Sequence, residues 1–370
     1  IRCSLAPVCL PEEERLAQNA DWEPVQLSPR DDDRVAVHVV SHGSRVGRAG
    51  DELRVIPLEG QETKLPIHEV AHVVLHGGAQ ITTQALHMCA EHETAVSWMT
   101  GGGRYVGTLA ATGGSVQRRI RQYASLADDA TRMSLARRLV GAKVEGQLRF
   151  VLRATRGGER RSDGMLTAIE SMRTSIRGAH GSQSIEELLG HEGRAALSYF
   201  STWNDLISPE VDSRLRYWGR TRRPPRDRVS ALLGFGYALL LKDVVAAILA
   251  AGLEPAFGFY HRPRSSAPPL ALDLLELFRV PLVDMPVLAS INRSQWHPER
   301  DFQVSEPRVW LSDEGRKKMI EVYEKRRQEQ WKHSVVGYSL SYARMVELEA
   351  RLLEKEWSGE EGLLARFRPR

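Results

Sequence analysis

The pattern of apolar and polar positions changes once along the chain. Between about residue 35 and residue 109, apolar residues form short β-branched runs separated by Gly, Pro or polar turns, a pattern that predicts strands. We expect strands over residues 35–40, 53–56, 70–75, 95–98 and 105–109, and a short helix over 82–90 capped by Thr82 or Thr83. The short connections favour a mostly antiparallel sheet.

Helical spacing dominates from Val116 onward, after Gly113-Gly114 and a predicted N-cap at Ser115. Gly157-Gly158, residues 178–181 and Pro224-Pro225 are predicted to interrupt it. The predicted fold class is therefore α+β, a small N-terminal mostly antiparallel β domain followed by a large all-α domain. A terminal amphipathic helix is expected from the spacing of Tyr342, Met345, Val346, Leu348, Leu352 and Leu353.

Four segments follow from these boundaries: a tail and linker over 1–33, the β domain over 34–113, the helical domain over 114–358 and a tail over 359–370. Residues 1–33 contain Cys3 and Cys9 and end in a charge run that reaches Arg34. They have too few apolar side chains to form a buried core of their own. The chain starts at Ile1 without a signal-peptide pattern, so we expect it to be part of a longer protein.

Composition adds two constraints. Three cysteines make no disulfide framework, which favours a reducing cytoplasm, and Cys89 is expected to be buried and structural. The most apolar stretch, residues 229–253, is interrupted by Lys242 and Asp243, so we expect a buried core helix and no contact with a membrane.

Positive charge is concentrated although the formal net charge is only +4. Seven arginines fall between Arg214 and Arg228, opposed only by Asp227, and a second basic loop surrounds Gly157-Gly158. This clustering indicates a polyanionic partner held through its phosphates, although a solvated surface face would give the same pattern. The candidate DNA-binding residues are Arg214, Arg216, Arg220, Arg222, Arg223, Arg226, Arg156, Arg160 and Arg161.

Glu192 is the first candidate for chemistry. It opens a segment whose apolar residues Ala195, Ala196, Tyr199 and Phe200 fit one helical face. A carboxylate there either stabilises the positive end of a helix or is held for a metal.

A second group of candidates follows the motif Gly258-Phe259-Tyr260-His261. Asp273 and Glu276 are three residues apart, so on a helix they share a face that borders the core. Arg279 offers Glu276 an intrahelical ion pair instead, and His261 could be a core histidine. Taken together, a histidine and carboxylates from separate segments suit Mg²⁺ or Mn²⁺, which would polarise a phosphodiester.

Four collinear motifs resemble the Cas-one (Cas1) integrases of CRISPR systems, over roughly residues 35–355. They are Gly190-His191-Glu192-Gly193-Arg194, Arg222-Arg223-Pro224-Pro225-Arg226-Asp227, Gly252-Leu253-Glu254-Pro255 with Gly258-Phe259-Tyr260-His261, and Leu272-Asp273-Leu274-Leu275-Glu276. The chain departs from the family at Ser230, where Asn is frequent. It departs again after Lys143, where Gly146-Gln147 replaces Asn-Gln.

The resemblance implies a function and a site. The 3′-hydroxyl of a captured prespacer DNA would be joined to the CRISPR repeat DNA by transesterification. Glu192, His261 and Glu276 would hold Mg²⁺ or Mn²⁺, with Asp273 beside the metal among the catalytic residues. The family also implies homodimers formed through the β domain, with two dimers bridged by a Cas-two (Cas2) dimer.

Residues 1–11 are similar to the C-terminal end of Cas-four (Cas4) nucleases, where such cysteines ligate an iron–sulfur cluster. We therefore expect a natural fusion with a Cas4 domain in cis and a 4Fe-4S cluster on the complete domain. Cys3 and Cys9 alone cannot complete four thiolates. Two alternatives stay open, a metal-dependent nuclease that only hydrolyses DNA and a non-catalytic DNA-binding scaffold.

Overall fold

The structure, a computed structural model, describes residues 34–110, 116–156, 162–219, 224–262, 268–333, 337, 339–357 and 362–366. It is a mixed α+β fold with a β-rich N-terminal part and a helical C-terminal part.

Two four-stranded sheets form the N-terminal part. The first has the order β1 (Val35–Val39), β5 (Val70–His76), β7 (Ala95–Met99) and β8 (Tyr105–Leu109). The second has the order β4 (Thr63–Pro66), β3 (Glu52–Ile56), β2 (Arg45–Ala49) and β6 (Gln80–Ile81). A 3₁₀ turn, Ile67–Glu69, precedes β5, and helix α1, Thr83–Glu91, lies between β6 and β7. The predicted Thr82 cap is confirmed, since its hydroxyl accepts from the Ala85 amide at 3.2 Å.

The expectation of a mostly antiparallel sheet is wrong. β1–β5, β5–β7 and β2–β6 are parallel, while β2–β3, β3–β4 and β7–β8 are antiparallel. Parallel neighbours need a crossover, and the elements between β1 and β5 and between β5 and β7 provide one each. The antiparallel pairs β2–β3 and β3–β4 are internal to the first crossover, and β7–β8 is a hairpin that follows the second.

Strand β5 joins two hydrophobic cores. Val73 and Leu75 pack with α1 and the second sheet, whereas Val74 packs with the helical part. Both faces of this strand are covered, which is typical of a strand with two parallel neighbours. The N-terminal sheet is consequently part of the support for the helices.

The helical part contains α2 (Val116–Ala127), α3 (Asp129–Ala154), α4 (Asp163–Gly181), α5 (Ile185–Ser201), α6 (Trp203–Leu206) and α7 (Arg228–Ala250). It continues with α8 (Pro269–Arg279), a π-helical turn (Val280–Asp284), α9 (Met285–Asn292), α10 (Asp313–Gln328) and α11 (Tyr342–Lys355). The expectation of an all-α part is wrong, because two antiparallel hairpins interrupt it. They are β9 (Phe302–Ser305) with β10 (Arg308–Leu311), and β11 (Gln330–Lys332) with β12 (Ser339–Ser341).

Three predictions about the helices have different outcomes. The terminal amphipathic helix is confirmed as α11, whose predicted apolar residues are buried. The predicted break at residues 178–181 lies slightly early, since α4 runs through Gly181 and α5 starts after the Ser184 cap. The predicted Ser115 cap and the Gly157-Gly158 break lie outside the described residues.

Helix α7 is the central core helix. By length and composition alone it is apolar enough to cross a membrane, but 67% of its most apolar 18-residue stretch is buried inside the fold. Lys242 and Asp243, which interrupt the apolar run, are both buried and pair at 2.7 Å. A buried charged pair of this kind is tolerated because each ion compensates the other.

The β-rich part meets α7 and α10 through buried histidines. His72 Nδ1 lies 3.7 Å from Asp243 Oδ1, and His38 Nε2 lies 3.2 Å from Glu324 Oε1. Burial lowers the pKa of both rings, that of His72 to about 4. Neutral imidazoles therefore connect the two parts at neutral pH.

Candidate metal centre

Glu192 lies in the middle of α5. The helix starts at Ile185, and its first turn is capped by Ser184, whose hydroxyl accepts from the Glu187 amide at 3.2 Å. The interpretation of Glu192 as a residue at the helix start is therefore wrong, because the capping position is filled two turns earlier. Its carboxylate is available for another role.

The ammonium group of Lys143, on α3, lies between Glu192 and Glu276. Lys143 Nζ donates to Glu192 Oε1 and lies 2.8 Å from Glu276 Oε2. The Lys143 side chain is 6% exposed and that of Glu276 is 4% exposed. Helices α3, α5 and α8 thus each bring one charged group to the same point.

Glu276 is a buried carboxylate with two cationic neighbours. Arg279 pairs with its Oε1 at 3.3 Å, which is the intrahelical ion pair that the sequence spacing predicted as an alternative. Burial alone would raise the pKa of Glu276, but Arg279 and Lys143 outweigh it and lower the pKa to about 2. The carboxylate is therefore ionised at any ordinary pH, as a metal ligand must be.

Asp273 organises the loop that carries His261. Its Oδ2 accepts from the amides of Phe259 and Tyr260 at 2.8 and 3.1 Å. Its Oδ1 accepts from the His261 amide at 2.9 Å and lies 2.7 Å from His261 Nδ1. Because an ionised carboxylate only accepts hydrogen bonds, Nδ1 carries a proton, and in the neutral ring Nε2 keeps its lone pair. In this structure Asp273 positions the loop, and its predicted place among the catalytic residues stays a prediction.

Gly258 allows the loop to lie against the start of α8. A Cβ at this position would lie 2.6 Å from Asp273 Oδ2 and 2.7 Å from the Leu270 amide nitrogen. Only a residue without a side chain permits this approach. The Gly258-to-His261 motif is therefore explained by packing against the helix that carries Glu276.

Tyr260 links the loop to Glu192. Its hydroxyl donates to Glu192 Oε2 at 3.1 Å, and its ring packs edge-on against His261. Burial and the neighbouring Glu192 carboxylate raise the pKa of this hydroxyl, so it remains a hydrogen-bond donor. Glu192 is thus held by a donor on each oxygen.

A buried network supports the site from behind. The Arg279 guanidinium lies 4.6 Å from the centre of the Tyr237 ring. Tyr237 and Tyr199 donate to the two oxygens of Asp284 at 2.6 and 2.8 Å. Since Tyr199 is on α5 and Asp284 ends the π-helical turn after α8, this network fixes the two carboxylate-bearing helices relative to each other.

The predicted three-ligand metal set is only partly assembled. Across the described ranges, no three His, Cys, Asp or Glu side chains converge closely enough to hold a metal ion. Two carboxylates converge, while His261 is held by Asp273 with its side chain 27% exposed. The pair itself fits a hard cation, because its oxygens already face a positive charge, and Mg²⁺ commonly uses one or two carboxylates plus waters and phosphates.

The candidate DNA-binding arginines differ in whether their guanidinium groups are free to contact DNA. Arg214 is neutralised by Asp212 at 2.8 Å and Glu299 at 2.9 Å. Arg216 donates to backbone carbonyls, including that of Ser208 at 3.2 Å, so it has a structural role. Arg156 and Arg226 are exposed. Arg160, Arg161, Arg220, Arg222 and Arg223 lie outside the described residues, as do Cys3 and Cys9.

Lys143, Tyr260 and Asp284 are parts of the site that sequence reasoning missed. The sequence indicates Lys143 only as part of a family segment, and Tyr260 only as the residue before His261. Their acidic partners lie 49 and 68 positions away in the sequence. A buried lysine in an otherwise apolar helical face was the available signal, since such a charge requires a partner.

The chain is similar in sequence to proteins of one known family. Residues 37–325 match the family described as CRISPR associated protein Cas1. A CRISPR-associated exonuclease Cas4/endonuclease Cas1 fusion of Myxococcus xanthus (strain DK1622) is 52% identical over 371 residues, covering 100% of this chain and 65% of that protein. A CRISPR-associated endonuclease Cas1 of Chlorobaculum tepidum is 33% identical over 326 residues, covering 87% of this chain and 94% of that protein. The chain thus spans less than two thirds of the length of the Myxococcus fusion.

Solved structures share the fold. A CAS1 protein from Thermotoga maritima matches with a TM-score of 0.74 at 25% identity, covering 89% of this chain and 99% of that one. A casposase bound to an integration product gives 0.77 at 22% identity, covering 89% and 92%. A Cas6-RT-Cas1–Cas2 complex gives 0.76 at 20% identity, covering 91% and 36%. The latter two similarities concern the fold alone.

Proposed function

The chain belongs to the family of CRISPR-associated Cas1 proteins, and on that premise we propose that it joins DNA ends during CRISPR adaptation. The 3′-hydroxyl of a captured DNA fragment attacks a phosphodiester at the border of a CRISPR repeat, and the 3′-oxygen of the cut repeat strand leaves. One phosphodiester forms and one breaks, so the reaction is a transesterification that needs no external energy source.

The observation that supports this proposal is the meeting of Glu192 and Glu276 around one positive charge. Two carboxylates from different helices, facing a common cation position, suit Mg²⁺ or Mn²⁺. When bound there, such an ion supplies Lewis-acid stabilisation of the attacking and leaving oxygens.

The protein's own groups would orient the reactants. Glu192 and Glu276 hold the cation position, and His261 presents Nε2 because Asp273 fixes the opposite side of its ring. The Tyr260 hydroxyl keeps Glu192 in place. Arg156 and Arg226, both exposed, would bind DNA phosphates without selecting a sequence.

Partners follow from the family by analogy. We propose prespacer DNA and CRISPR repeat DNA as substrates, a Cas2 protein as the bridge between two homodimers, and a Cas4 domain in cis that carries the 4Fe-4S cluster. Relatives named as Cas4/Cas1 fusions support the Cas4 domain. The Cas6-RT-Cas1–Cas2 complex, which shares the fold, supports the Cas2 partner.

The decisive experiment compares Glu192→Gln with Glu187→Gln, an exposed glutamate in the first turn of the same helix. A labelled DNA fragment is incubated with a repeat-containing plasmid, the Cas2 partner and Mn²⁺, and joined and nicked products are separated on a gel. We expect Glu192→Gln to lower the rate of joining at least ~100-fold with DNA binding retained. Removal of a residue that only supports a metal ligand already lowers metal affinity or activity about 10–100-fold, and Glu192 is proposed as a ligand itself. The Glu187→Gln variant should join normally.

A fragment with a 3′-dideoxy end distinguishes joining from hydrolysis. The protein is a hydrolytic nuclease if two results are found together. The plasmid is cleaved at full rate in the presence of the 3′-dideoxy fragment, and the fragment with a 3′-hydroxyl gives no joined product. If Glu192→Gln joins DNA at close to the wild-type rate, Glu192 has no part in the chemistry and the proposed site is refuted.

A further inference from the structure

We propose that Lys143 is a built-in, displaceable counter-ion that occupies the cation position between Glu192 and Glu276 and competes with the divalent metal for it. The inference rests on the proposed metal-dependent function and adds its regulation. Lys143 would hold the site together before metal binds and would set how tightly the metal is taken up.

The first support is position. Lys143 Nζ contacts one oxygen of each carboxylate, Oε1 of Glu192 and Oε2 of Glu276. The side chain reaches this point from α3, whereas α5 and α8 carry the carboxylates. A single ammonium group therefore stands where a shared metal ion would be expected.

The second support is an open acceptor. Glu276 Oε2 is buried and has no hydrogen bond, although Lys143 Nζ lies 2.8 Å away, so the contact is an ion pair with unfavourable hydrogen-bond geometry. A buried carboxylate oxygen that is held only by charge has not used its lone pairs. This oxygen can exchange one cation for another without the loss of a hydrogen bond.

The third support is the balance of charge. Glu192 and Glu276 contribute two negative charges, and Lys143 and Arg279 contribute two positive ones. Arg279 is held by the Tyr237 ring and pairs with the other oxygen of Glu276, so it stays in place. A divalent ion added beside Lys143 would repel it, which makes binding of the two cations mutually exclusive.

A different role would give a different result. If Lys143 were a permanent structural partner that stays between the carboxylates, its removal would weaken metal binding by loosening the site. If it is a competitor, its removal strengthens metal binding and weakens only the metal-free protein. The sign of the change in metal affinity therefore decides between the two roles.

The experiment measures Mn²⁺ binding to the whole chain by calorimetry and by electron paramagnetic resonance of free Mn²⁺. Lys143→Gln keeps a hydrogen-bond donor, one bond closer to the backbone, without the charge, and Lys143→Met removes both the donor and the charge. Arg149→Met, on the exposed face of the same helix, is the control for loss of a positive charge. We expect Lys143→Gln and Lys143→Met to bind Mn²⁺ at least ~10-fold more tightly than wild type, because a positive charge that opposes the divalent ion is removed. Their metal-free forms should melt at a lower temperature, and Arg149→Met should match wild type in both measurements.

The outcomes are distinct. Wild-type binding of Mn²⁺ with equal or weaker binding by Lys143→Gln overturns the role of Lys143 and leaves the proposed metal site intact. Absence of binding by wild type together with tight binding by Lys143→Gln supports the competition strongly. Absence of binding by both proteins overturns the metal site itself, and with it the proposed function. If Lys143→Met does not fold, the Lys143→Gln result decides alone.

Discussion

Replacing Asp273 by Asn tests whether the His261 loop is held by charge. The side chain is fully buried, and its two oxygens accept four hydrogen bonds, three from the amides of Phe259, Tyr260 and His261 and one from the His261 ring. Asparagine has nearly the same shape but keeps only one acceptor oxygen. Its NH₂ group must therefore face two donors, whichever way the amide is turned.

The magnitude follows from those contacts. Hydrogen bonds to a charged group contribute about 1.5–3 kcal/mol each, so losing two should cost about 3–6 kcal/mol. For a domain of this size each kcal/mol shifts the melting temperature by roughly 2–4 °C, which gives a decrease on the order of 10 °C. Joining activity should also fall by about 10–100-fold. Either the amide NH₂ faces the His261 ring and amide, or it faces the Phe259 and Tyr260 amides, and in both cases the loop that carries His261 loses hydrogen bonds.

The assay is thermal unfolding followed by tryptophan fluorescence, with the joining reaction measured in parallel below the transition. Asp205→Asn is the control, since this exposed carboxylate accepts a hydrogen bond from the Ser162 hydroxyl at 3.1 Å and belongs to no site. Its melting temperature should stay within about 2 °C of wild type. If Asp273→Asn lowered the melting temperature no more than the control does and joined DNA normally, this carboxylate would not organise the loop.

Two further predictions concern the surroundings of the site. Gly258→Ala should lower the free energy of unfolding by about 1–3 kcal/mol and reduce joining. The reason is that the new Cβ would lie 2.6 Å from Asp273 Oδ2 and 2.7 Å from the Leu270 amide nitrogen. An unchanged melting temperature would contradict this close approach. Burial raises the pKa of Asp284 to about 6 from 3.8 despite the hydroxyls of Tyr237 and Tyr199. Since the folded state then binds the proton more tightly, stability should decrease by up to about 3 kcal/mol as pH rises from 4 to 6, and denaturation curves of Asp284→Asn should lack this dependence.

Strand positions were predictable from the sequence, but strand partners were not. The β-branched runs identify β1, β3, β5, β7 and β8 to within a residue or two. Alternation along a strand depends only on which face is buried, so it does not say whether the neighbour runs parallel or antiparallel. The nearly continuous apolar run over residues 70–75 was the useful signal, because strands that are covered on both faces, as this one is, are typical of parallel sheets.

Long-range ion pairs limit what the sequence shows of the site. The spacing of Asp273, Glu276 and Arg279 follows helical periodicity, so their shared face and the ion pair could be predicted. Lys143 reaches Glu192 only through the packing of α3 against α5, and no local pattern encodes that contact. Likewise, the helical spacing of Asp273 does not show that its carboxylate accepts from three loop amides and the His261 ring.

The two interpretations of Glu276 that the sequence left open, an ion pair with Arg279 or a metal ligand, are compatible in the structure. Arg279 contacts Oε1 and is held by Tyr237, so Oε2 remains directed at Lys143. The ion pair also has a chemical consequence, because together with Lys143 it overcomes the burial that would otherwise raise the pKa of Glu276. A carboxylate buried without such a partner would take up a proton and lose its capacity to bind a metal. The ion pair with Arg279 is therefore a condition for the proposed metal-binding role of Glu276, and loss of Arg279 should weaken metal binding even though Arg279 is not itself a ligand.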